Sequence, residues 1–228
     1  MHRLLLLLLL VPGLARPAQA QFFDLFGSLF ENVNAVVFYG QAGVLTDNRT
    51  LEGTAADFGT TGLGAEVLIN LPSVGDTDFE LAFGASAVQG FQANEPTLDL
   101  RTSIRTLPTV SVYASRLGLP SGSPLIPYFG AGFGFTELWN ARGYAPDGTV
   151  YPLQAETFEL GAVAGTYLNT GPIRGLYVEL GYRRREFSSL VWETEQLPPG
   201  WPRSADASGI VVNLGWQFFI TRGEQEDE

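Results

Sequence analysis

The sequence predicts an all-β protein, an eight-stranded antiparallel up-and-down transmembrane β-barrel with a short N-terminal amphipathic helix. Three observations carry that expectation. Large apolar residues fall at every second position of successive runs, as in VNLGWQFFI (Val212 to Ile220), which is the periodicity of a strand with one oily face. The runs count to eight, an even number, and the connections between them alternate between short and long. Charged residues make up 16% of the chain, too few to coat a water-facing wall.

The first element of the 228 residues stands apart from the rest. His2 and Arg3 form a basic start, Leu4 to Val11 an apolar run, and Ala18-Gln19-Ala20 a small-residue cleavage pattern. Residues 1–20 therefore read as a secretory signal peptide cut before Gln21. No later segment approaches the roughly 20 apolar residues that a spanning helix requires. Residues 21–34 follow as a periplasmic amphipathic segment, because Phe22, Phe26, Leu29 and Val33 of FFDLFGSLFENV share one helical face. The barrel is expected over residues 35–220, and TRGEQEDE makes an acidic periplasmic tail over residues 221–228.

Export permits disulfides, yet the chain has no cysteine, so packing and backbone pairing must hold it together. The full chain carries a net charge of −11 with arginine as its only strong base. Loss of the signal peptide removes Arg3 and Arg16 and makes the balance more acidic still. Nucleic acid is excluded as a partner on that ground.

The eight runs lie near 35–45, 58–71, 78–90, 101–116, 125–138, 155–169, 174–187 and 208–220, bounded by clusters of Gly, Pro, Asn and Asp. Connections near 72–77, 117–124 and 170–173 are short, whereas those near 46–57, 91–100, 139–154 and 188–207 are longer. Tight periplasmic turns opposite longer outside loops are the pattern of a transmembrane barrel, and the pattern places both termini in the periplasm. Within the runs the two faces separate by parity. Leu63, Ala65 and Val67 oppose Gly64 and Glu66; Phe79, Leu81 and Phe83 oppose Glu80 and Gly84. Phe158, Leu160 and Ala162 oppose Glu159 and Gly161; Leu176, Val178 and Leu180 oppose Tyr177, Glu179, Arg183 and Arg185. The fourth run is weaker as a central strand, because Pro108 removes a ladder donor.

Small residues suit the cramped lumen of an eight-stranded barrel, so the oily face is expected to meet lipid. A lipid-facing sheet has no water to satisfy its edges and must close on itself. Rings at Tyr128, Phe129, Tyr167, Tyr177, Trp216 and Phe218 gather near the periplasmic strand ends, at the level of an interfacial girdle.

The last run, with Asn213, Gly215, Phe218 and Ile220, is similar to the polar-x-Gly-x-x-aromatic-x-hydrophobic signal that outer-membrane barrels show to the barrel assembly machinery. PYFGAGFGF (Pro127 to Phe135) resembles the Tyr-x-Gly-x-Gly strand of small barrels. On these residues the chain resembles the small eight-stranded outer-membrane barrels of the OmpA-like superfamily, over about residues 35–220 and without a peptidoglycan-binding domain. The resemblance implies an integral protein of the bacterial outer membrane, inserted by that machinery and in contact with membrane lipid and lipopolysaccharide.

Parity places Glu66, Glu80, Glu159 and Glu179 in the lumen with Arg105, Arg183 and Arg185. Ions taken out of water must pair, so these seven residues are expected to form a charge network that fills the barrel, or else to line a narrow gated pore. Arg184 has the outward parity and suits snorkelling at the interface. Catalysis is not expected: the only histidine, His2, leaves with the signal peptide, and a serine or threonine nucleophile would lack its base. No residues are assigned to a cofactor or a metal, since Gly130, Gly132 and Gly134 precede no helix and the loop acids match no cation loop. Trp139, Tyr144, Trp192 and Trp201 fall in the outside loops, where they pack the loops together, sit at the outer membrane interface or anchor an extracellular ligand. The expected role is structural or surface-interactive, with the barrel anchoring four outside loops. The alternatives are a narrow passive channel, a lipid-acting membrane enzyme and a soluble lipocalin-like binding barrel.

Overall fold

The computed structural model describes residues 33–45, 56–57, 59–95, 98–120, 122–194, 197–198 and 200–220. The expected signal peptide, most of the amphipathic segment and the acidic tail lie outside the described residues. Eight long strands make the wall: β1 (Val33–Leu45), β2 (Gly59–Val74), β3 (Thr77–Glu95), β4 (Leu98–Ser115), β5 (Leu125–Tyr144), β6 (Glu156–Leu168), β7 (Leu176–Phe187) and β8 (Gly209–Phe219). Four short pieces, Ala56–Asp57, Val150–Gln154, Val191–Trp192 and Ala205–Asp206, join one end of it. Among the described residues there is no helix.

Each long strand pairs antiparallel with the next. β8 then pairs back onto β1 from Ala35↔Phe219 to Leu45↔Gly209, so the wall of eight long strands closes on itself. β1 begins at Val33, two residues before the expected start and on a residue expected to be helical. At one end the turn between β2 and β3 is only Gly75 and Asp76, with Val74 facing Thr77. Gly75 takes a φ of 59°, which a two-residue hairpin of this kind demands and glycine adopts without strain.

The opposite end departs from the expectation. β3 and β4 stay paired out to Glu95↔Leu98, and β5 runs to Tyr144 before folding back through Val150–Gln154. The stretches 91–100 and 139–154, expected as long loops, are largely hairpins that extend the wall. Their inward residues explain this, because Leu98, Leu100, Ala141 and Leu153 bury apolar surface inside the extension.

Pro108 is accommodated at a β-bulge. Pairing steps from Thr106 to Thr109 against both β3 and β5, so Leu107 and Pro108 fall outside the ladder. The extra residue reverses the alternation along β4. Thr109, Ser111 and Tyr113 face inward on one side of the bulge, and Ile104 and Thr106 on the other.

The orientation of the faces is clear from accessibility. Leu160, Val178 and Leu214 are 55%, 46% and 59% exposed on the outside, while their neighbours Glu159, Glu179 and Asn213 are 2%, 4% and 2% exposed within. An outside lined by Phe38, Leu63, Phe129, Phe133, Phe158 and Leu180 is a wall for hydrocarbon rather than for water. The expected aromatic girdle is corrected in part. Phe129 and Phe218 look outward, but Tyr128, Tyr167 and Tyr177 belong to the inner cluster.

Candidate functional site in the barrel lumen

Strand β7 displays the lumen from end to end, since its inward residues are Tyr177, Glu179, Gly181, Arg183, Arg185 and Phe187 in turn. They belong to three successive layers: tyrosines with carboxylates, then guanidiniums, then an apolar plug.

The tyrosine layer exists because the facing positions are glycine. The Tyr113 ring occupies the space where a Cβ on Gly130 would lie, and Tyr39 does the same at Gly64. Tyr128 lies against Gly165 and Tyr177 against Gly215, each with a ring atom 2.7 Å from where a Cβ would be. Glycine thus allows five-atom-deep rings to lie along the wall instead of colliding across it. The hydroxyls then reach carboxylates. Tyr113 Oη donates to Glu66 Oε2 at 3.0 Å, and Tyr128 Oη donates to Glu179 Oε2 at 3.1 Å. Asn213 Nδ2 donates to Glu179 Oε1 at 2.6 Å, and Asn34 Nδ2 to Glu80 Oε1 at 2.7 Å. The Tyr113 and Tyr128 rings meet edge to face with centroids 5.7 Å apart.

Glu159 organises the next layer. Arg183 Nη1 donates to its Oε1 at 3.2 Å, Arg185 Nε donates to Oε2, and Thr106 Oγ1 donates to the same Oε2 at 3.1 Å. Thr136 lies 3.0 Å from Thr106 and extends the network across β5. Both oxygens of the carboxylate receive donors, one at Oε1 and two at Oε2, and such pairing is the condition under which a buried ion group is tolerated.

Arg105 does not join them, and its assignment to the lumen is corrected. The bulge turns it outward, where its guanidinium pairs with Glu137, Nε lying 2.6 Å from Oε1, and sits 5.7 Å from the Trp139 ring centre. The other six residues of the expected network face inward. Thr106, Tyr113 and Asn34 take part in the lumen contacts although sequence reading did not single them out, and Tyr128 does so although it was expected in the interfacial girdle. Tyr113 and Tyr128 share the inward parity on their strands, and that was the available signal.

Above the guanidiniums the lumen is closed by an apolar plug of Leu100, Ile104, Leu138, Phe187, Trp192 and Trp201. The Trp192 and Trp201 rings lie 4.8 Å apart, and Trp192 Nε1 donates to the Pro202 carbonyl at 2.9 Å. These two tryptophans, expected in loops, are interior residues; Trp139 is exposed, and Tyr144 lies beneath the Arg101 guanidinium. In the turn beyond the wall, the Thr149 backbone N–H donates to Asp147 and holds its carboxyl below the usual carboxylate range. Among the described residues no group of three or more His, Cys, Asp or Glu is placed to hold a metal ion.

The geometry has a counterpart among solved structures. The outer membrane protein OprG from Pseudomonas aeruginosa matches with a TM-score of 0.56 and 13% identity, over 84% of this chain and 98% of its own. The fold is that of a small outer-membrane β-barrel. Lower in similarity are Ail of Yersinia pestis, with a TM-score of 0.45 and 13% identity over 82% of this chain and 99% of its own, and the Escherichia coli outer membrane protease OmpT, with a TM-score of 0.44 and 7% identity over 82% and 94%. No protein-family model matches the sequence, and no curated protein matches it. In this outer-membrane barrel fold the four residues of the expected assembly signal divide by face. Asn213 and Gly215 point inward, whereas Phe218 and Ile220 point outward at the end of β8.

Proposed function

We propose that this protein is an integral barrel of the bacterial outer membrane, with both termini periplasmic, whose role is to anchor its outer connections at the cell surface. The observation that carries the reading is the filled lumen: a tyrosine layer, a paired-ion layer and an apolar plug occupy it in succession. A passive channel needs a continuous wet path, and the plug of Trp192, Trp201 and Phe187 interrupts it. An enzymatic role has little support, because His2, the only histidine, precedes the expected cleavage point. The oily wall is suited to lipid and to lipopolysaccharide acyl chains, and the pattern Asn213, Gly215, Phe218 and Ile220 to recognition by the barrel assembly machinery. Exposed Trp139, together with the Arg101 and Tyr144 pair, offers contact points for an extracellular ligand.

Epitope insertion tests the arrangement. A tag placed at Gly148 should be reached by antibody on intact cells, and one at Gly171 only after the envelope is permeabilised. Planar bilayers holding the purified protein should show no conductance steps. Labelling in the reverse order, or recovery from the soluble periplasm, overturns the reading.

A further inference from the structure

With Arg105 outside the wall, the interior is left unbalanced in charge. Among the described residues, Glu66, Glu80, Glu159 and Glu179 face inward against Arg183 and Arg185, and both guanidiniums are bound to Glu159. Glu66 and Glu179 instead hydrogen-bond neutral donors, Tyr113 for the first and Tyr128 and Asn213 for the second. Both carboxylates line a cavity of about 30 Å³ at the tyrosine layer.

A second observation comes from Asn213, which lines the same cavity. Among the described residues its Oδ1 has no hydrogen-bond partner, although Asn213 is 2% exposed. The amide cannot be turned over to relieve this, because Nδ2 is committed to Glu179 and the reversed amide would set oxygen against carboxylate. The cavity therefore sets a bare amide oxygen beside two carboxylates, and the donors that line it, the Tyr39 and Tyr177 hydroxyls and the Gln217 amide among them, are all neutral. A water molecule would satisfy Asn213 but leave the charge in place.

We propose that this cavity binds a small monovalent cation, an alkali-metal or ammonium ion, held by Glu66, Glu179 and the Asn213 carbonyl with the Tyr113 and Tyr128 rings beside it. The volume admits an ion of about the size of water and excludes a bulky organic cation. No group of three acids is placed for a divalent metal among the described residues, whereas mixed carboxylate, amide and aromatic surroundings suit a singly charged ion. A cation held inside the barrel goes beyond the anchoring role of the wall; neither stands or falls with the other.

The test compares thermal unfolding of the full protein in detergent at constant chloride and mildly alkaline pH, with sodium, potassium or ammonium against bulky N-methylglucamine. The small ions should raise the midpoint saturably, as binding to the folded state alone requires. The rise should vanish in Glu66→Gln and in Asn213→Ala. Equal midpoints in all salts would mean that protons neutralise the carboxylates, and that overturns the proposal, as does a rise of unchanged size in both variants. Crystals of the unmodified protein grown in a rubidium salt give a readout that needs no variant: an anomalous peak within bonding distance of Asn213 Oδ1 is expected, and its absence overturns the proposal.

Discussion

Glu159 is bound by two guanidiniums and a hydroxyl, so the network around it is strong only while complete. Glu159→Gln keeps the shape but leaves Arg183 and Arg185 buried without a counter-charge, and should cost about 3–5 kcal/mol in denaturant unfolding. Arg105→Ala is the matched control. Its pair with Glu137 is 44% and 37% exposed, and its loss should change stability by about 0–1 kcal/mol. Similar costs for the two substitutions would mean that the bulge does not separate their environments. Glycine positions make a further residue-scale prediction. Gly130→Val places a branched side chain where the Tyr113 ring lies, and should lower stability by about 1–3 kcal/mol by the same measurement.

At the scale of the strand, alternation does most of the work, since a period of two puts every second residue on the same face whatever lies beyond it. This is why β6, β7 and β8 could be read residue by residue, with Val178 outside and Glu179 inside. An arginine at Val178, mid-strand on the oily wall, should cost about 2–4 kcal/mol of unfolding free energy in lipid vesicles; an unmoved midpoint there would argue against a lipid-facing wall. β4 resisted the same treatment. Pro108 drew notice as a defect, but its consequence, a reversal of faces that sends Arg105 outward, depends on how β3 and β5 pair with the bulged strand. Loop reading failed for a related reason. Residues 91–100 and 139–154 contain turn-forming residues, yet their inward apolar side chains find one another only when the hairpins stand side by side.

For the molecule as a whole, the outer plug ties three of the outer connections to the barrel, those around residues 88–104, 138–155 and 187–207. Trp192→Ala should cost about 3–5 kcal/mol and make the outer connections more sensitive to added protease, because Phe187, Leu190 and Trp201 lose their central neighbour. Unchanged digestion would show that the connections are held some other way. The sequence by itself determined the number of wall strands, the face that each unbulged strand such as β6, β7 and β8 presents, and the scarcity of charge on the outside, because all three follow from local periodicity and composition. Only the tertiary structure decided that Arg105 leaves the network, that the tyrosines turn inward over glycines, and that Trp192 and Trp201 stop the lumen. Those outcomes rest on contacts between residues far apart in the chain, and no local pattern encodes which side chain will occupy the space that a distant glycine leaves open.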